Sequence, residues 1–113
     1  MDNSEKLNIE NTDTIDMLYE NGGTLTLELI DGMDWSDEGR HLTLLQSKLN
    51  SYIRFIDMKQ YEEKHPNVTN FTISVRFLFA ETETCLRFLD LVERKLSAFS
   101  PRINLTVIHG TEK

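Results

Sequence analysis

The sequence predicts an α+β fold, a two-layer α/β sandwich ordered β-β-α-β-α-β, with a four-stranded mixed sheet and both helices on one face. Two observations carry this: alternating apolar runs flank Asn21-Gly22-Gly23, and a stripe of apolar residues recurs at helical spacing through residues 36–61. A third is the run 71–108, where a strand pattern, a helix pattern and a second strand pattern follow in turn.

The alternating runs are Ile15–Glu20 and Thr24–Leu29. A three-residue loop, Asn21-Gly22-Gly23, would pair Tyr19 with Leu25, Met17 with Leu27 and Ile15 with Leu29, so that apolar side chains share one face. That register sets Asp16 opposite Glu28, a like-charge pair that Arg76 is placed to relieve. In residues 36–61, Leu42, Leu45, Leu49, Ile53 and Ile56 form the inward stripe, with Tyr52 beside it; Gln46, Lys48, Asn50, Arg54 and Lys59 are expected to face outward. Ser36 or Asp34 is the expected cap, and His65-Pro66 lies beyond the helix end.

Phe71–Phe79 alternates as a strand, with Thr72, Ser74 and Arg76 on its polar face. Thr82 is placed to cap a second helix that turns Cys85, Leu89, Val92, Leu96 and Phe99 inward and stops at Ser100-Pro101. Arg102–Ile108 reads as the last strand. Residues 1–12 are expected to form a flexible polar tail and residues 13–110 a single domain. Right-handed crossovers through the helices would make the last three strands parallel. Parallel sheets are usually covered on both faces. Either one strand runs antiparallel through a long connection, or the polar face here, Thr24, Thr26, Thr72, Ser74, Arg76, Asn104 and Thr106, with Leu18, Ile30, Leu78 and Ile108 among them, is covered by another chain, as in a homodimer.

Composition excludes several classes. The 113 residues carry a net charge of −7, which gives no electrostatic route to nucleic acid. No apolar run is long enough to span a membrane, and the polar start lacks the apolar core of an export signal, so the expected location is cytoplasmic. A single cysteine, Cys85, allows no internal disulfide; it sits on an apolar stripe and reads as core. The triplets at Asn67, Asn70 and Asn104 read as ordinary strand-flanking sequence. No phosphate-binding loop, nucleophile elbow or zinc motif is present, and no cofactor is expected. Charge is uneven: residues 1–38 hold eleven acids against one base, Lys6, whereas residues 39–113 hold eleven bases against eight acids. The halves either neutralise each other within the fold or leave an acidic surface for a basic partner.

Catalytic residue types converge only in Asp34-Trp35-Ser36-Asp37-Glu38-Gly39-Arg40-His41. Asp37 and His41 share a helix face at four-residue spacing, a weak pattern for a metal or for an oriented base. Helix capping and an ion pair explain the same residues without chemistry. Trp35, just before the cap, reads as a staple onto the first turn or as a binding anchor.

The run from Leu29 to Ile56, with Asp34-Trp35, Asp37-Glu38, His41-Leu42, Leu45-Gln46, Lys48, Asn50, Tyr52 and Phe55-Ile56, resembles a family of small bacterial proteins of unknown function with a D-W-x-D-E…H-L-x-x-L-Q-x-K-x-N-x-Y-x-x-F-I pattern. Asp13-Thr14-Ile15-Asp16 matches a further element of that family. The resemblance spans most of residues 10–108 and implies a stand-alone cytoplasmic bacterial domain, with no activity to carry over.

The function expected from sequence is a non-enzymatic protein-interaction module, binding a protein partner or a second copy through Asp16, Glu28, Asp34, Trp35, Asp37, Glu38, His41 and Arg76. One version is immunity-like, neutralising a basic toxin. The alternative is a small metal-dependent or acid–base enzyme centred on Asp34, Asp37, Glu38 and His41, with Asp37 and His41 as its metal candidates. A small-molecule sensor using the mouth between sheet and helices is a third reading.

Overall fold

The computed structural model describes residues 9–100 and 102–112. The elements are β1 (Met17–Asn21), β2 (Thr24–Asp31), α1 (Glu38–Asp57), β3 (Asn70–Phe77), α2 (Glu83–Ser97) and β4 (Ile103–Ile108), the expected α+β order. The sheet runs β1-β2-β3-β4. β2, β3 and β4 are mutually parallel and β1 is an antiparallel edge strand, so the sheet is mixed. Both helix crossovers thus return the chain parallel to the strand before.

Period-two patterning sorts the sheet's faces. Leu25, Leu27, Leu29, Phe71, Ile73, Val75, Phe77 and Ile103 are buried under the helices. From α1 come Leu45, Leu49, Tyr52 and Ile56, and from α2 Cys85, Leu89 and Leu96. The Thr82 hydroxyl caps α2 by accepting the Cys85 N–H at 3.1 Å. Of the expected tail, residues 1–8 lie outside the described residues, as does the expected stop at Pro101. Ile9 is wholly buried in the core, so the packed chain begins before residue 13. No helix among the described residues is long and apolar enough to cross a membrane.

Three local expectations are corrected. The hairpin loop has two residues, Gly22-Gly23, because Asn21 pairs with Thr24. Both glycines have positive φ, +58° and +83°, the two left-handed positions of a type I′ turn, whose twist suits the flanking strands. The register is therefore Met17 with Glu28, Leu18 with Leu27 and Tyr19 with Thr26, and Asp16 does not face Glu28. Leu18 then shares the helix-bearing face with Leu27, at its uncovered margin, rather than lying on the open face. Finally, Lys48 points inward and is wholly buried.

Candidate functional site

The acidic turn before α1 separates into an inner and an outer set. Inside, Asp31 ends β2 and its Oδ2 lies 2.5 Å from His41 Nε2, with both side chains fully buried. His41 Nδ1 lies 2.9 Å from the Asp34 carbonyl. That oxygen only accepts, so Nδ1 carries a proton and donates it there. The remaining proton sits between Nε2 and the Asp31 carboxylate, and either position leaves the pair with no net charge. Trp35 stacks on the imidazole at 3.7 Å between centroids and 14° between planes. Its Nε1 is buried without a hydrogen-bond partner among the described residues.

Outside, Asp34 accepts from the Ser36 hydroxyl at 2.6 Å and the Ser36 N–H at 3.1 Å, and those bonds hold its carboxyl below the usual range. Asp37, not Ser36 or Asp34, caps α1 by accepting the Arg40 N–H, and Glu38 is the first helical residue. The proposed Asp37–His41 pair does not form; the partner of His41 is Asp31, ten residues upstream. Neither imidazole nitrogen meets solvent in this arrangement. Among the described residues no group of three or more His, Cys, Asp or Glu is placed to hold a metal.

A second polar cluster, missed in the sequence, joins α1 to the sheet edge. Lys48 Nζ lies 2.7 Å from Asp16 Oδ1, both wholly buried. Asp16 Oδ2 accepts the Ile30 N–H at 2.8 Å. The Tyr52 hydroxyl accepts the Asp16 N–H and donates to the Glu28 carbonyl, each at 2.9 Å. Even-numbered residues of β2 turn their backbone groups toward β1, since a two-residue hairpin makes Asn21 and Thr24 a hydrogen-bonded pair. The Ile30 N–H comes next after the last pair of the ladder, and the Asp16 carboxylate takes it in place of a strand carbonyl. Burial pushes the Tyr52 phenol well above its ordinary range, and the Asp16 and Glu28 charges add to this. Burial likewise pushes the Cys85 thiol up to about 12, with Asp31, Glu81 and Glu38 contributing, which leaves it an inert core residue.

Glu28 lies on the open face yet is only 5% exposed. Its Oε1 is 3.4 Å from the Ser74 hydroxyl and 3.5 Å from Arg76 Nη2. Five acids of the first half therefore meet a base or a histidine of the second half within the chain: Glu10 with Arg40 at the surface, Asp16 with Lys48, Glu20 with His65, Glu28 with Arg76 and Asp31 with His41.

The side of the sheet that carries no helix has few charges. Thr72, Arg76, Asn104 and Thr106 stand on the sheet's open side beside Thr24 and Thr26. At one margin every residue of β1 is exposed, including Met17 at 45%, Leu18 at 38% and Tyr19 at 47%. The helix layer carries a half-open groove of about 270 Å³ between α1 and α2, floored by Leu49, Ile53, Phe88 and Val92. It lies between the helices rather than at the expected sheet–helix mouth.

Among known proteins, no curated protein and no solved structure matches the chain. Residues 7–109 match the model of a family of unknown function, DUF6572. The chain belongs to that family.

Proposed function

We propose that this member of DUF6572 is a protein-interaction module that performs no chemistry of its own and meets a protein partner on the uncovered side of its sheet. The observation that supports the reading is three parallel strands whose second face carries neither helix; its centre, Glu28 and Ser74, is buried by neighbouring side chains, while Arg76, Asn104 and Thr106 are exposed. Such strands are ordinarily covered on both faces, and a surface of Thr, Ser and Asn with few charges suits a dry contact better than a solvated one. The immunity-like version, in which negative charge captures a basic toxin, has less support, since five acids of the first half already have basic partners within the chain.

A photoreactive side chain at Thr72 or Thr106, on the open face, should crosslink to protein in the native host. The same group at Asp90, on the outer side of α2, should not. Equal capture at all three positions, or none, overturns the reading. Retention of the captured partner should change little between low and high salt, whereas capture by charge would fall steeply.

A second reading, acid–base or metal chemistry, is favoured by the position of Asp31 and His41 at the carboxyl end of β2, where open α/β sheets place their ligands. It requires Trp35 to move off the imidazole. A melting shift with added divalent metal, lost in His41→Ala, would support it.

A further inference from the structure

We propose that β1 is a self-pairing edge and that two copies of this chain join through antiparallel β1 strands, with the two-fold axis at Tyr19.

Three consecutive apolar residues, Met17, Leu18 and Tyr19, are exposed on β1, whereas β4, the other edge, contributes none of the exposed large hydrophobic side chains. A strand that projects side chains alternately to both faces exposes such a run only when both faces and its outer edge are uncovered. β1 also lacks the lysine or proline with which edge strands commonly block pairing. Its single charge, Glu20, is held by His65 Nδ1 at 2.8 Å.

The hairpin register determines which backbone groups are available. Asn21, Tyr19 and Met17 face β2, so Leu18 and Glu20 turn their N–H and C=O groups outward. An antiparallel second copy centred on Tyr19 sets Leu18 opposite Glu20 of the other copy, and the two exchange those outward groups. Tyr19 meets its own equivalent in a non-hydrogen-bonded pair, where side chains approach most closely. The same register never sets one Glu20 directly against the other, so the contact is compatible in charge as well as in hydrogen bonding. A second copy fits where an unrelated strand need not, because donors, acceptors and charge are complementary about one axis. The inference is independent of the partner proposed for the open face: it concerns the outward backbone edge of β1, which Glu20→Pro alters and which the open-face crosslinking positions Thr72 and Thr106, on β3 and β4, do not touch.

The test is the solution mass and a register-specific crosslink. By sedimentation the intact protein should approach twice the mass of one chain as concentration rises. Glu20→Pro removes an outward N–H without touching the β1–β2 ladder, and Tyr19→Lys sets like charges together; both should remain at the mass of one chain with unchanged circular dichroism. With an added oxidant, Tyr19→Cys should form a disulfide-linked dimer and Leu18→Cys should not, because only residue 19 meets its own equivalent. Cys85 is wholly buried and does not compete. A single-chain mass at every concentration, a dimer that survives both Glu20→Pro and Tyr19→Lys, or equal crosslinking of the two cysteine variants overturns the proposal.

Discussion

Lys48 and Asp16 form an ion pair, 2.7 Å apart, from which water is wholly excluded, and through it the long helix holds the start of the edge strand. Removing one partner strands the other charge in the interior. Lys48→Met should cost about 3–5 kcal/mol in denaturant unfolding, whereas Lys95→Met, at an exposed position, should stay within about 0.5 kcal/mol. Similar losses for the two variants would remove the buried pair from the account.

Tyr52 makes a related prediction. Tyr52→Phe keeps the ring but leaves the Asp16 N–H and the Glu28 carbonyl without their shared hydroxyl, at a cost of about 1–3 kcal/mol. Hydrogen exchange should show lost protection at the Asp16 amide. The raised phenol also predicts a pH effect. The folded state holds this proton more tightly than the unfolded chain, so its contribution is complete below the unfolded value, about 10, and declines as pH rises above it. Tyr52→Phe should therefore flatten the fall in stability on the alkaline side.

The two candidate partners of His41 can be ranked by substitution. Asp31→Ala leaves the imidazole buried without its carboxylate and should cost about 3–5 kcal/mol, followed by the fluorescence of Trp35, the chain's one tryptophan. Asp37→Ala removes only a cap and should cost about 1 kcal/mol. The reverse order would restore Asp37 as the residue that matters.

Cys85 should resist alkylation in the folded protein and react as the chain unfolds, because its thiol is buried and held far from ionisation. Labelling that proceeds at the same rate with and without denaturant would contradict its burial.

Much of this architecture was legible from periodicity. Alternation along residues 71–79 and the 3.6-residue stripe through Leu45, Leu49 and Ile56 place β3 and α1 without any knowledge of contacts. What failed were positions where two local rules conflicted. Residue 48 lies on the stripe with 41, 45 and 52, but its charge argued for solvent; only a carboxylate from residue 16, far away in sequence, resolves the conflict. The hairpin register failed for the same reason. Pairing apolar residues favoured a three-residue loop, whereas Gly22 and Gly23 both take left-handed backbone, which favours the two-residue turn. In the acidic turn, helical spacing pointed to Asp37, but the end of the preceding strand brings Asp31 to His41, a juxtaposition that only the folded chain creates.

The Asp16 carboxylate that takes the Ile30 N–H acts as an end-stop. The length of the outer strand is thus decided by an acid anchored from the helix layer, not by how willingly upstream residues extend. Anything zipping onto this border is confined to the stretch between that anchor and the glycine turn, and so must be short and particular about alignment.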